Sequence, residues 1–296
     1  MRLRRTTALA VGAMLAVTLA ACGDDASTDS GSDHIDVTVA DNPTFDEGTT
    51  MAKLADADAI TVGVKVDQPG IGFLQPGDDM PTGFDIEVAR ILAAGLGIDD
   101  DNITWKETIS DNREPFLQGG DVDLVLASYS ITDDRRKVVG QAGPYFLTGQ
   151  QLLVREEDKG KITGPDDLSG IKVCSVSGST SLDNAEAKGA QPVPLDTYSE
   201  CVDQLKNGTV DAVTTDGSIL LGYAAQDPDE LEVVGDPFSE ERYGVGYQHG
   251  DTEMCQYISD TLQSAFDDGT WAKAFEATLG QSGAETPEPP TLDACQ

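Results

Sequence analysis

Three cations stand where an acidic chain has least reason to put them. Lys65 follows an apolar-rich strand-like run and is an expensive interior charge unless something anionic meets it. Arg113 comes three residues after Ser110, at the start of an expected helix. Arg135 follows Ser128-Tyr129-Ser130-Ile131-Thr132, a segment that leaves a buried strand and opens a short helix. A guanidinium can grip a carboxylate through two parallel N–H bonds, and Ser128 and Ser130, two apart and so on one face of a strand end, set hydroxyls beside it. The loop Val176-Ser177-Gly178-Ser179-Thr180-Ser181 leads into another helix, where orphan N–H groups favour an anion, although by itself it reads more simply as an N-capping serine. No Gly-Lys-Ser/Thr follows, so it is no nucleotide P-loop. Together these groups point to a small anionic ligand.

The elements that must position them alternate. Strands are predicted at 60–66, 102–107, 122–127, 151–154, 172–175, 210–214 and 244–248, on apolar runs bounded by turn residues. Helices are predicted at 84–96, 112–118, 133–138, 181–187, 198–206, 217–225, 254–267 and 270–278. Alternation of this kind predicts an α/β protein with helices covering mostly parallel sheets. Leu117-Gln118-Gly119-Gly120-Asp121-Val122-Asp123 matches Leu205-Lys206-Asn207-Gly208-Thr209-Val210-Asp211 at a constant offset of 88 residues. That offset sets Ser128 opposite Asp216, both at the carboxyl end of a strand, where open α/β sheets bind ligands. A duplication and a recurrent αβ connection both produce such a match.

Composition excludes several function classes. With 53 Asp plus Glu against 19 Lys plus Arg, the formal charge of the 296 residues is -34, which argues against nucleic acid, whose binding needs clustered cations. Two histidines, His34 and His249, are too few for a His-rich metal site and make a Ser/His/Asp triad hard to assemble. No cofactor is expected.

The N-terminus reads as an export signal: Arg2, Arg4 and Arg5, then an uncharged run from Thr6 to Ala21 that ends at Cys22. Small residues directly before a lone early Cys resemble a bacterial lipobox, which implies cleavage before Cys22 and lipid on its thiol, outside the cytoplasm. Residues 23–50, rich in Asp, Ser, Thr and Gly, read as a flexible acidic spacer. Four later cysteines, Cys174, Cys201, Cys255 and Cys295, suggest two disulfides in an exported protein. Three pairings are possible; Cys174 with Cys201 and Cys255 with Cys295 is favoured, the second pinning the Pro-rich tail. A zinc site is the poorer reading, because no CxxC pair exists.

Several runs in order carry a family resemblance: Lys65-Val66-Asp67-Gln68-Pro69-Gly70, Gly83-Phe84-Asp85-Ile86-Glu87, Ser128 through Arg135, Gly143-Pro144-Tyr145, Cys174 through Thr180, Asp196 through Cys201, and Thr214-Thr215-Asp216. Over roughly residues 51–280 the chain resembles the extracellular solute-binding proteins that feed polar amino acids to ABC transporters, and within them the glutamate-binding lipoproteins of actinobacteria. The resemblance implies a periplasmic-binding-protein-like (type II) fold: 51–146 plus 247–296 as one α/β lobe, 147–246 as the other, and a two-strand hinge at 145–150 and 243–249. It implies a monomer, with transporter permease subunits as partners. By position, Arg135 pairs with the ligand α-carboxylate, helped by Ser130 and the Ser179 and Thr180 amides, and Asp216 holds the α-ammonium beside the Ser128 carbonyl. Lys65, Ser110 and Arg113 receive a side-chain carboxylate. Gly70 and Ser110 stand where many relatives place stacking aromatics, which weakens a glutamine reading.

A zwitterion needs one anion and one cation in fixed geometry, so lobes that each supply one would bind it only when shut. Two alternatives remain: a sensor lipoprotein with the same binding chemistry, and a dehydratase, for which Asp216 and Glu107 are the nominable carboxylates.

Overall fold

A computed structural model describes residues 34–295. In chain order the elements are α1 (Thr50–Ala57), β1 (Ile60–Val64), β2 (Asp67–Gln68), β3 (Gly72–Phe73), α2 (Phe84–Gly95), β4 (Ile103–Glu107), α3 (Arg113–Gly119), β5 (Leu124–Leu126), α4 (Asp133–Arg136) and β6 (Gly140–Thr148). Then come β7 (Gln150–Arg155), β8 (Lys172–Val176), α5 (Thr180–Ala187), β9 (Gln191–Leu195), α6 (Tyr198–Lys206), β10 (Ala212–Asp216), α7 (Gly217–Gln226) and β11 (Leu231–Val234). β12 (Glu241–Tyr247), α8 (Thr252–Asp268) and α9 (Thr270–Ala277) follow.

Two five-stranded sheets result, ordered β4-β1-β5-β12-β6 and β11-β7-β10-β8-β9, with β2 and β3 a separate small hairpin. Each sheet is mixed rather than mostly parallel. β1 runs parallel to β4 and β5, and β8 parallel to β9 and β10, whereas β12 and β7 are antiparallel to both their neighbours. Besides the short β2 and β3, three strands of the two five-stranded sheets escape the sequence reading: β6, β9 and β11. All three are sheet edges. Pro144 in β6 and Pro192 and Pro194 in β9 break the apolar pattern, and an edge is where a strand tolerates a residue with no N–H.

The chain crosses between the sheets twice. The first crossing, at Gly149, lies between β6 and β7, inside the expected hinge. The second is at 235–240, ahead of the expected 243–249, because β12 already pairs with β6 from Glu241 onward. The lobe boundary near 246 therefore moves back to about Glu241. Beside the crossings the first lobe is packed with aromatic rings. Phe84 packs edge-on against Phe146, Trp271 and Phe275 with ring centroids 5.5–5.8 Å apart, and Trp271 Nε1 donates to the Tyr145 carbonyl at 2.9 Å.

A second correction concerns the spacer. Residues 34–49, expected as flexible, lie against the first lobe without forming helix or strand. Ile35 N and the His34 ring bind the buried Glu87 carboxylate, Arg90 donates to the Ile35 carbonyl, and the Ala40 amide donates to Ala94. Phe45 meets Tyr257 edge-on at 5.8 Å. Composition conceals this because the contacts come from isolated residues in a polar run. Cys22 and the export signal lie outside the described residues. Disulfides join Cys174 to Cys201, between β8 and α6, and Cys255 to Cys295, between α8 and the tail.

Candidate functional site

The carboxyl ends of β5 and β10, with the start of α5, enclose a narrow cleft lined by Ser110, Arg113, Ser128, Ser130, Arg135, Ser179, Thr180 and Asp216; Lys65 is not in this lining but bonds to Ser110, which is. Its walls leave about 10 Å³ free, room for roughly one water, so the lobes are in contact. A larger, mainly apolar cavity of about 540 Å³ lies beside the two crossings and holds none of these groups.

The first-lobe wall is cationic. Lys65, one residue past β1, is buried, and its Nζ donates to Ser110 Oγ at 3.0 Å with no carboxylate in ion-pair range among the described residues. Burial, reinforced by the charge of Arg113, pulls its pKa down to about 7. Arg113 is buried as well, and among the described residues it donates only to backbone carbonyls: Ser110, Ala127 and Ser128 in its own lobe and Gly178 across the cleft. Burial first, then Arg135, lower it to about 10. Arg135 donates to the Ser130 carbonyl at 2.7 Å and to Gly178 at 2.9 Å, and pairs with Glu114 at 3.2 Å. The Tyr129 ring lies beneath both guanidinium groups, 4.5 Å from Arg113 and 5.0 Å from Arg135.

Gly178 lets the two walls meet. Its φ is +72°, and a Cβ there would stand 2.2 Å from Asp111 Oδ1 of the opposite lobe, so only glycine brings its carbonyl to both arginines.

The second-lobe wall carries hydroxyls, amides and one acid. Ser179 is the N-cap of α5, its Oγ accepting from Leu182 N, so the simple capping reading of that loop holds. Thr180 is the first helical residue, one of the positions whose amides an α-helix leaves without an internal partner. Asp216 ends β10 and is buried; Tyr243 donates to its Oδ2 at 2.7 Å, while Oδ1 has no hydrogen-bond partner among the described residues. Burial first, then the nearby Glu241 carboxylate, push its pKa up to about 7. A buried oxygen without a donor is an unmet acceptor, and it lines the same cleft as the two arginines.

Several contributors carried no role in the sequence reading. Asp85 is buried at the start of α2, accepting from Tyr145 at 2.6 Å and from the Ser128 amide at 2.7 Å. It holds Ser128 at φ +44°, which turns the chain after β5 and presents the Ser128 carbonyl to Arg113. Burial raises the Asp85 pKa to about 6, against those two hydrogen bonds. Glu241, at the start of β12, accepts from Ser130 (2.6 Å) in one lobe and Thr180 (2.9 Å) in the other, so Ser130 Oγ is engaged with a carboxylate. Only the oddity of an acid after a polar crossing could have flagged it. Glu107, at the end of β4, does not line the cleft.

Comparison with known proteins gives the family. Residues 60–281 match the family model of bacterial extracellular solute-binding proteins, family 3. The chain is 37% identical over 291 residues to the glutamate-binding protein GluB of Corynebacterium efficiens, covering 95% of this chain and 91% of that one. It is 32% identical over 287 residues to the ABC transporter glutamine-binding protein GlnH of Bacillus subtilis, covering 96% and 100%. Among solved structures, an ancestral arginine-binding protein bound to arginine superposes with a TM-score of 0.69 at 34% identity, covering 75% of this chain and 99% of that one. With this fold, this cleft and a match over most of its length, the chain belongs to the bacterial extracellular solute-binding proteins of family 3.

Proposed function

We propose that the protein captures glutamate, or the related aspartate, outside the cytoplasm by closing its two lobes, and hands it to the permease subunits of an ABC transporter. The observation that supports this best is the pair of buried cations, Lys65 and Arg113, with no carboxylate in ion-pair range among the described residues, together with the unpartnered Oδ1 of Asp216, which lines the same cleft as Arg113. An amino acid with an acidic side chain supplies what each lacks. Its side-chain carboxylate goes to Lys65, Ser110 and Arg113. Its α-carboxylate goes to Arg135, which exchanges part of its bonding to Glu114 for it, with Ser130 and the Ser179 and Thr180 amides beside it. Its ammonium goes to Asp216 and the Ser128 carbonyl. Similarity to proteins named glutamate-binding and glutamine-binding supports the ligand class.

The protein acts as a monomer held to the outer face of the membrane by lipid on Cys22, through residues 23–33. Cys22→Ala is expected to release it into the medium. The ligand is tested by thermal unfolding of the soluble form against each common amino acid. At a thousandfold excess over its Kd, a ligand that binds only the folded state adds about 4 kcal/mol. Glutamate is expected to give the largest upward shift, with aspartate next; no shift from either refutes the proposal.

A further inference from the structure

Asp67 belongs to the first lobe but bonds to the second. It stands in β2, and its Oδ2 accepts from the backbone amides of Tyr198 at 2.9 Å and Ser199 at 3.2 Å, the first two residues of α6. That helix is capped by its own residues in a way that leaves those two amides over. Thr197 Oγ1 accepts from Glu200 N, and Glu200 reaches back to Thr197 N. The carboxylate from across the cleft completes the set at the positive end of the helix dipole. Tyr223 of α7 adds to it, its hydroxyl donating to the Asp67 carbonyl at 2.5 Å and lying 3.3 Å from Oδ2.

The neighbouring backbone fits the same contact. At Gly222 a Cβ would lie 2.2 Å from the Pro69 carbonyl oxygen, so α7 presents a glycine where the β2–β3 hairpin rests on it. Asp67 is not among the residues that line the cleft.

We propose that Asp67 is a positioning residue for closure: it latches the hairpin of the first lobe onto the α6 terminus and α7 of the second, and so sets how long a bound amino acid is held. This rests on capture by lobe closure as proposed above. The bonds join two lobes and exist only where those lobes meet, so they add to the closed state and nothing to the open one. Ligand identity is left to the cleft. Asp67 also sustains the charge of Lys65, so variants on the facing lobe, which leave that charge in place, carry the test of selectivity.

The experiment measures glutamate and glutamine affinity, glutamate association and dissociation rates, and small-angle scattering with and without ligand for wild type, Asp67→Ala, Asp67→Asn, Tyr223→Phe and Gly222→Ala. Asp67→Ala is expected to weaken glutamate about tenfold, mainly through faster dissociation, with Asp67→Asn recovering part of the loss. Tyr223→Phe is expected to weaken both ligands by the same factor, about threefold. Gly222→Ala should keep or raise thermal stability, since alanine favours helix, yet weaken binding because its methyl meets Pro69. Wild-type affinity and dissociation in Asp67→Ala and Gly222→Ala would overturn the latch. If wild type binds no amino acid, it is the capture reading that fails, and the latch is still read from scattering. A larger radius of gyration in Asp67→Ala supports it, and a profile identical to wild type overturns it.

Discussion

The two walls of the cleft are built alike and charged oppositely. In each, a strand at the matched position of the 88-residue offset ends at the cleft, β5 just before Ser128 and β10 at Asp216. Yet the first wall carries Arg113 and Arg135, with Lys65 bonded to its Ser110, while the lining residues of the second include no lysine or arginine and one acid. Backbone geometry provides the place, and side chains decide the sign. In the capture proposed above, neither wall alone satisfies an amino acid, which brings both charges, so binding would depend on closure. Each wall also holds its charge against its surroundings. Asp216 is raised from 3.8 to about 7 and Lys65 lowered from 10.5 to about 7. A raised acid favours the folded state below its unfolded pKa and loses that as pH rises from about 4 to 7; a depressed lysine loses its contribution as pH falls from about 10.5 to 7. Around neutrality both charges oppose folding, and an amino acid bound as proposed would relieve both.

Breaking the cationic wall gives the largest expected effect. Arg135→Ala should weaken glutamate by about 2–5 kcal/mol in calorimetry, because the α-carboxylate is left in a shut cleft without its partner. Breaking the acidic wall comes next: Asp216→Asn should lose about 2–3 kcal/mol of binding, while the melting temperature at pH 7 without amino acid rises by a few degrees, on the order of 1 kcal/mol. A fall in both quantities would show that Asp216 is structural.

The pH dependence sharpens the comparison. Glutamate affinity should peak near pH 7, where Asp216 and Lys65 are both partly charged. Below it Asp216 takes up a proton and no longer holds the ammonium; above it Lys65 loses one and no longer meets the carboxylate. Glutamine should keep the acid limb and lose most of the alkaline one, which titration calorimetry between about pH 5.5 and 8.5 would read. The smallest effect belongs to the tail. Asp293 bridges Arg136 and Arg242 at partly exposed positions, and pairs of that kind contribute roughly 0–1 kcal/mol. Mild reduction of Cys255–Cys295 should therefore open residues beyond Gln281 to protease while glutamate affinity changes less than about twofold.

The charged residues of the cleft were legible because each interrupts something. Lys65 follows an apolar strand, Asp216 ends another, Arg113 opens a helix and Arg135 lies in the short helix after Ser128 and Ser130. A charge at a buried strand end needs a reason, and sequence shows the interruption. What it hides are partners assembled from distant segments. Asp67 meets Tyr198, 131 residues away, and Glu241 meets Ser130 at a separation of 111, with nothing local to mark either. Edge strands were hidden for a different reason. Proline in β6 and β9 erases the periodicity that a central strand would have kept. The segment 34–49 was misread because its few anchors, such as Ile35 and Phe45, are scattered through a run that looks like spacer.

The most direct test of the opposed walls is calorimetry of glutamate and glutamine on wild type and Lys65→Met. Lys65 is the cleaner target, since Arg113 also holds four backbone carbonyls in place. If the cationic wall reads the side-chain carboxylate, wild type binds glutamate more tightly, and the variant loses about 1–3 kcal/mol for glutamate but far less for glutamine. Equal losses for the two ligands, or a wild type that prefers glutamine, would contradict it.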